Sequence, residues 1–254
     1  MEMADIHEKE KIIEMCHLCA DNFSGYSIEE ICNGISNNDS APTFSKSVGE
    51  AVVLDMLKHS SGDIDDVKKT IRTNNMIIKT ITVTNNGTRT EDMKLLAVNF
   101  NEFKDNRAEY VKSELYHFLK ETELICAVFR EKDEGDNNIK DNSFIGFKLY
   151  EFGKEIVEKD AKTIWEKIHE LIISRELRDV IARDETGEPI INKNGKVRSA
   201  PNFPKSKGHI VFLRGSGADS SDKCLEINGI KMLRQNYWIR GKYIVEMLTD
   251  MDFI

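Results

Sequence analysis

The sequence predicts an α/β (α+β) fold in which helices flank a mixed sheet. Three features predict it. The N-terminal third spaces its apolar residues as helices do, and the centre and last third break into short apolar runs separated by turn residues. Only 15 Gly and 4 Pro occur in 254 residues, so no linker-rich or low-complexity stretch interrupts the chain. With 40% hydrophobic and 31% charged residues it can bury a core. We expect one domain over 1–254, with a helical N-terminal lobe (1–75) and a mixed-sheet lobe (76–254).

Ile6 to Phe23 places Ile12, Ile13, Met15, Cys16 and Cys19 near one helical face. Ser27 followed by Glu30 reads as a capping box opening a helix with Ile28, Ile31, Cys32 and Ile35 on one stripe. Asn37 to Pro42 breaks it, and a third helix is expected from Ser47 to His59. Met76 to Thr84 alternates Ile and Thr, which is strand chemistry, and Asn86-Gly87 ends it as a turn. Leu95 to Phe100 is read as its partner. Val111 to Glu121 predicts a helix, Leu124 to Phe129 a buried strand, Glu134 to Asn142 a polar loop, and Phe144 to Leu149 another strand. Glu155 to Arg175 predicts a long helix with Ile156, Ile164, Trp165, Ile168, Leu171 and Ile172 inward. Asn194-Gly195 marks a hairpin turn between Pro189-Ile190-Ile191 and Val197. His209 to Leu213 is a short strand running into Arg214-Gly215-Ser216-Gly217. Cys224 to Ile227 and Ile230 to Leu233 are expected strands, and Tyr237-Trp238-Ile239 leads into a helix from Gly241 to Leu248.

No run approaches the roughly 20 apolar residues of a membrane span. The acidic start, Met1 to Asp5, fits neither a secretory signal nor a transit peptide, so a cytoplasmic protein is expected. Five cysteines, an odd number, argue against a disulfide framework. Net charge is -8, but it is unevenly spread. Residues 1–200 carry 28 Lys and Arg against 38 Asp and Glu, whereas residues 201–248 carry 8 against 4. Between Pro189 and Ala218 stand six bases (Lys193, Lys196, Arg198, Lys205, Lys207, Arg214) and no acid. Segregation of this kind is a candidate anion surface on an acidic body.

Cys16-His17-Leu18-Cys19 has metal-ligand spacing, but zinc needs a second ligand pair and only Cys32 is near; a packed, reduced pair is the simpler reading. Arg214-Gly215-Ser216-Gly217 ends an apolar strand, where glycines admit an anion and an Arg can fork onto phosphate or guanine. It is not a nucleotide-binding P-loop. Tyr237-Trp238-Ile239-Arg240-Gly241-Lys242-Tyr243 interleaves aromatics with bases, a pattern that suits a nucleic-acid groove, although from composition alone a core Trp beside a solvated helix start is the favoured reading. The six histidines are scattered, and no nucleophile elbow is present.

In order along the chain, Gly25-Tyr26-Ser27-Ile28-Glu29-Glu30-Ile31, Lys46-Ser47-Val48-Gly49 and Met76-Ile77-Ile78-Lys79-Thr80 resemble the MutH mismatch-repair nicking endonucleases. They resemble more closely the related GATC-cutting type II restriction enzymes of the Sau-three-A-I kind. Phe118-Leu119-Lys120-Glu121-Thr122 and Tyr237-Trp238-Ile239 are similar to the C-terminal half of the latter, an effector domain that binds a second recognition site. The resemblance spans about Tyr26 to Leu248 and implies a restriction-endonuclease-like (MutH-like) fold. It also implies metal-assisted hydrolysis through Asp…Glu-x-Lys in active members. Here the Glu position is Ile77, the Asp position falls on Thr70, a helix acid falls on Val53, a further Lys appears as Glu114, and only Lys79 survives. An alkyl side chain cannot coordinate Mg²⁺, so no catalytic residue, metal site or cofactor is expected.

On the DNA-reading side the resemblance implies a late-strand Arg and an aromatic-basic segment entering the major groove. Arg214, with Gly215 and Ser216 beside it, and Trp238 occupy those places. Lys205, Lys207, Arg240 and Lys242 would contact phosphates. The expected function is binding of duplex DNA at a GATC-like site by a catalytically inactive effector domain, whose partner is a nuclease domain in cis or in trans. The alternative is an active Mg²⁺-dependent endonuclease using displaced acids among Asp55, Asp63, Asp65 and Asp66. A dimerisation or scaffold module is the third reading.

Overall fold

The computed structural model describes residues 2–35, 48–61, 64–133, 138–192, 194–217 and 222–254. The expected break at Asn37 to Pro42, Lys46-Ser47, Asp63, Lys193, Ala218 and positions 134–137 lie outside them, as does the side chain of Asp66. Among the described residues the helices are α1 (Glu2–Phe23), α2 (Ile28–Ile35), α3 (Val48–Ser61), α4 (Ile64–Thr73), α5 (Glu114–Glu121), α6 (Lys162–Ile173) and α7 (Gly241–Thr249). The strands are β1 (Met76–Val83), β2 (Met93–Ala97), β3 (Glu123–Arg130), β4 (Ser143–Glu151), β5 (Asp179–Ile181), β6 (Ser199–Pro201), β7 (Val211–Ser216), β8 (Leu225–Ile227), β9 (Ile230–Met232) and β10 (Arg234–Ile239). This is a mixed α/β protein with several small sheets. Among the described residues no helix is long and apolar enough to cross a membrane.

The chain divides into two compact units, one of residues 1–91, 121–152 and 241–254, the other of residues 92–120 and 153–240. This partition differs from lobes cut at 75/76, because β1, β3, β4 and α7 join the N-terminal helices.

The first unit is a three-stranded mixed sheet, order β1-β3-β4, with β1 parallel and β4 antiparallel to β3. Leu124 to Phe129 of β3 are all buried, as a central strand covered on both faces requires. Ile12, Cys16, Val53, Met56, Leu57, Ile125, Phe144 and Phe147 belong to one core cluster, so the helical stripes read from sequence do face the sheet. The capping box closes as expected. The Ser27 backbone N–H donates to Glu30 Oε2 at 2.7 Å, and the Glu30 N–H to Ser27 Oγ at 3.2 Å. Buried Lys148 of β4 donates to the carbonyls of Leu248 and Met251 at 2.6 Å each, tying down the tail. Gly146 has φ +146°, and a Cβ there would lie 2.8 Å from Phe253, so both backbone and space demand glycine.

The second unit carries the antiparallel sheet β2-β10-β7 and the hairpins β5-β6 and β8-β9. Its core is aromatic: Trp165 packs on Phe103 with ring centroids 5.2 Å apart, and the Tyr110 hydroxyl donates to the Val157 carbonyl at 2.7 Å. The Asn194-Gly195 turn forms, with Ile191 bridged to Val197 and Gly195 at φ +77°.

Three expectations need correction, and one helix was not expected. The partner of β1 is β3, whereas residues 93–97 pair with β10. Met93 and Leu95 alternate as a half-buried edge strand does, while the continuous apolar run of β3 takes the place beside β1. The helix read from Val111 starts at Glu114, since Ser113 caps it, its Oγ accepting the Tyr116 N–H at 3.1 Å; residues 110–112 form a separate 3₁₀ turn. The helix read from Glu155 is π-helical over Ile156–Ala161 before α6 begins, and Leu171 is only half-buried. Helix α4 was not read, although Val67, Thr70 and Ile71 are buried at helical spacing.

Candidate nucleic-acid interface

Val53, Thr70, Ile77 and Lys79, four of the positions that the resemblance ties to hydrolysis, lie in the first unit, and Glu114 lies in the second. Ile77 and Lys79 share one face of β1, two residues apart, and both are half-exposed. Ile77 lines a cavity of about 460 Å³ together with Glu50, Leu54, Lys68 and Arg72. Val53 and Thr70 are buried in α3 and α4 and do not line it. Gly49 brings α3 against β1, where a Cβ would lie 3.1 Å from Thr80. The Mg²⁺ that the resemblance implies needs several oxygen ligands, and these residues do not fit it. Among the described residues the wall is hydrocarbon at Ile77, and one carboxylate, Glu50, lines the space. Asp55 and Asp65 are exposed and off this cavity. Among the described residues no three His, Cys, Asp or Glu come together as a metal site.

Arg214, Gly215, Ser216 and Trp238 lie in the second unit, on β7 and β10. Their register sets Arg214 opposite Asn236 and Phe212 opposite Trp238, so these four side chains share a face. Arg214 is 45% exposed and ion-paired to Asp92, and its guanidinium lies 4.8 Å from the Trp238 ring and 5.1 Å from that of Phe212. Asn236 Nδ2 donates to Ser216 Oγ at 2.7 Å. Gly215 lets the strands close, since a Cβ there would lie 3.1 Å from Leu233 and from Gln235 Nε2.

Beside β7 lies a cavity of about 740 Å³. Arg198, Lys205, Arg214 and Lys223 line it over an apolar floor that includes Phe212 and Leu213. Lys223 is offset by Asp179 at 3.5 Å and donates to Ser199 Oγ at 3.0 Å. Desolvation in the cavity wall and the neighbouring Arg198 push the pKa of Lys205 down, Asp179 partly opposing them. A lysine whose charged form is disfavoured in a concave site gains from an anionic occupant.

Of the predicted DNA contacts, Lys205, Arg214 and Gly215 therefore line one cavity. Ser216 and Trp238 lie on the same strands, and exposed Lys207 and half-buried Arg240 belong to the same unit without lining it. Lys242 belongs to the first unit, where it pairs with Glu246 at 3.7 Å on α7. Sequence reasoning gave no role to Asp92 or Lys223. Asp92 carries no local motif, and Lys223 stands beyond the acid-free stretch that drew attention.

The Cys16-Cys19 pair is packed in the first unit's core. Burial pushes both thiols up, Cys19 to about 11, and Cys19 Sγ lies 3.1 Å from Ser60 Oγ. His169 stacks on Trp165 and meets the Asp105 carbonyl at 2.9 Å, a structural role. No protein-family model and no curated protein matches the chain.

Proposed function

We propose that this chain is a duplex-DNA-binding domain without nuclease activity of its own, of restriction-endonuclease-like, MutH-like fold. It acts as an effector for a nuclease domain in cis or in trans, in the cytoplasm, at a GATC-like site. The observation that carries the reading is the clustering of Arg198, Lys205, Arg214 and Lys223 around one concavity of an otherwise acidic protein. Phosphate contacts from such cations give salt-dependent affinity, whereas selectivity requires an oriented donor at a base edge. Arg214 answers to the second need, since it is half-exposed yet stacked and ion-paired. The hydrocarbon wall at Ile77 supports the absence of cleavage.

Two assays test this. Labelled duplex carrying GATC should bind more tightly than the same duplex with the four bases permuted, and both complexes should weaken as salt rises. Unmethylated plasmid incubated with the protein and Mg²⁺ should remain supercoiled. Nicked or linear product that disappears with EDTA would restore the active-enzyme alternative; no shift of either duplex at low salt would favour the scaffold reading.

A further inference from the structure

Arginine reads guanine by presenting two parallel N–H groups to O6 and N7, and that demands a fixed guanidinium plane. A half-exposed arginine on a strand otherwise samples many rotamers, and a mobile cation meets phosphate as readily as a base. In the second unit two contacts remove that freedom. The Trp238 ring, 4.8 Å away, sets the plane, and Asp92, immediately before β2, accepts from one terminal nitrogen of the guanidinium. Asp92 is 25% exposed against 45% for Arg214, so the anchor is the more sheltered member of the pair. The carboxylate also offsets the cation's long-range charge, which lowers its pull on phosphates in general.

Resting on the DNA reading above, we propose that Asp92 is a positioning residue that makes Arg214 selective for a guanine edge. Asp92 then contributes little to affinity for arbitrary duplex and much to the preference among duplexes. This is the reverse of what a cavity lysine does.

The test uses the full chain and three labelled duplexes: one carrying GATC, one permuted, and one with 7-deazaguanine in place of the site's guanines, which removes the N7 acceptor. The parent should prefer the GATC duplex to both others. Asp92→Asn should bind the permuted duplex at least as tightly as the parent while losing about tenfold in preference. Arg214→Ala should lose the preference too, and the double variant should lose no more than Arg214→Ala alone, as residues acting through one contact do. Asp92→Glu, which keeps the anion, should retain most of the preference and guards against a folding effect of Asp92→Asn. A preference unchanged in Asp92→Asn, losses that add in the double variant, or equal loss in Asp92→Glu and Asp92→Asn would overturn the assignment. A parent that binds none of the duplexes would instead overturn the DNA reading itself, and the assignment with it.

Discussion

The two cavities use charge in opposite ways. The one in the first unit, about 460 Å³, has an isoleucine where the resemblance would put a metal-gripping carboxylate, with Lys68, Arg72 and one acid, Glu50, among its described lining residues. The one in the second unit, about 740 Å³, gathers four cations over an apolar floor. On the proposed reading the first would hold no catalytic cation, while the clustering of bases suits the second to a polyanion. Binding and cleavage need different residues, and on the proposed reading this chain keeps those for binding alone.

The sharpest way to break the comparison is to damage each unit and ask which property follows. Phe147 is fully buried in the first unit, its ring centroid 5.0 Å from that of Phe144. Phe147→Ala should cost about 3–5 kcal/mol of stability, measured by denaturant unfolding. Arg214→Ala in the second unit should leave the melting temperature nearly unchanged and cost about 1–3 kcal/mol in binding GATC duplex, measured by titration, with relaxed sequence preference. Ser27→Ala opens the capping box of α2 and should lower stability by about 1 kcal/mol, with DNA binding of the folded protein intact.

The smallest effect concerns pH. Burial raises the Glu102 carboxyl above its ordinary value of 4.5, and nearby Glu114 adds to this, while the Glu114 N–H and the Trp165 indole act against it. A carboxyl raised in the folded state holds its proton more tightly than in the unfolded chain. Its contribution is therefore present below the unfolded value and fades as pH rises through the folded one. Glu102→Gln removes this loss, so its melting temperature relative to the parent should rise from about pH 4 to about pH 7. A difference independent of pH would show that Glu102 does not titrate in that window.

The local grammar of the chain was largely legible. Ser27 and Glu30, Asn194-Gly195, the apolar run from Leu124 and the stripe of Ile164, Trp165 and Ile168 each act through neighbours in sequence, and each formed as read. Strand pairing was not, because nothing local to residues 93–97 says whether β1 or β10 lies beside them. The site divides the same way. The acid-free basic stretch pointed to Lys205 and Arg214, but Lys223 arrives from after that stretch and Asp92 from 122 residues before Arg214. Long-range partners of this kind emerge only from packing.

The most direct measurement is the salt dependence of binding to a GATC duplex, compared between the parent and the Arg198→Ala, Lys205→Ala double variant from about 50 mM to about 200 mM salt. The expected result is a steep fall of log affinity with log salt in the parent and a slope shallower by about two in the variant. Equal slopes, or no binding by the parent at the lowest salt, would contradict the assignment of this cavity to DNA.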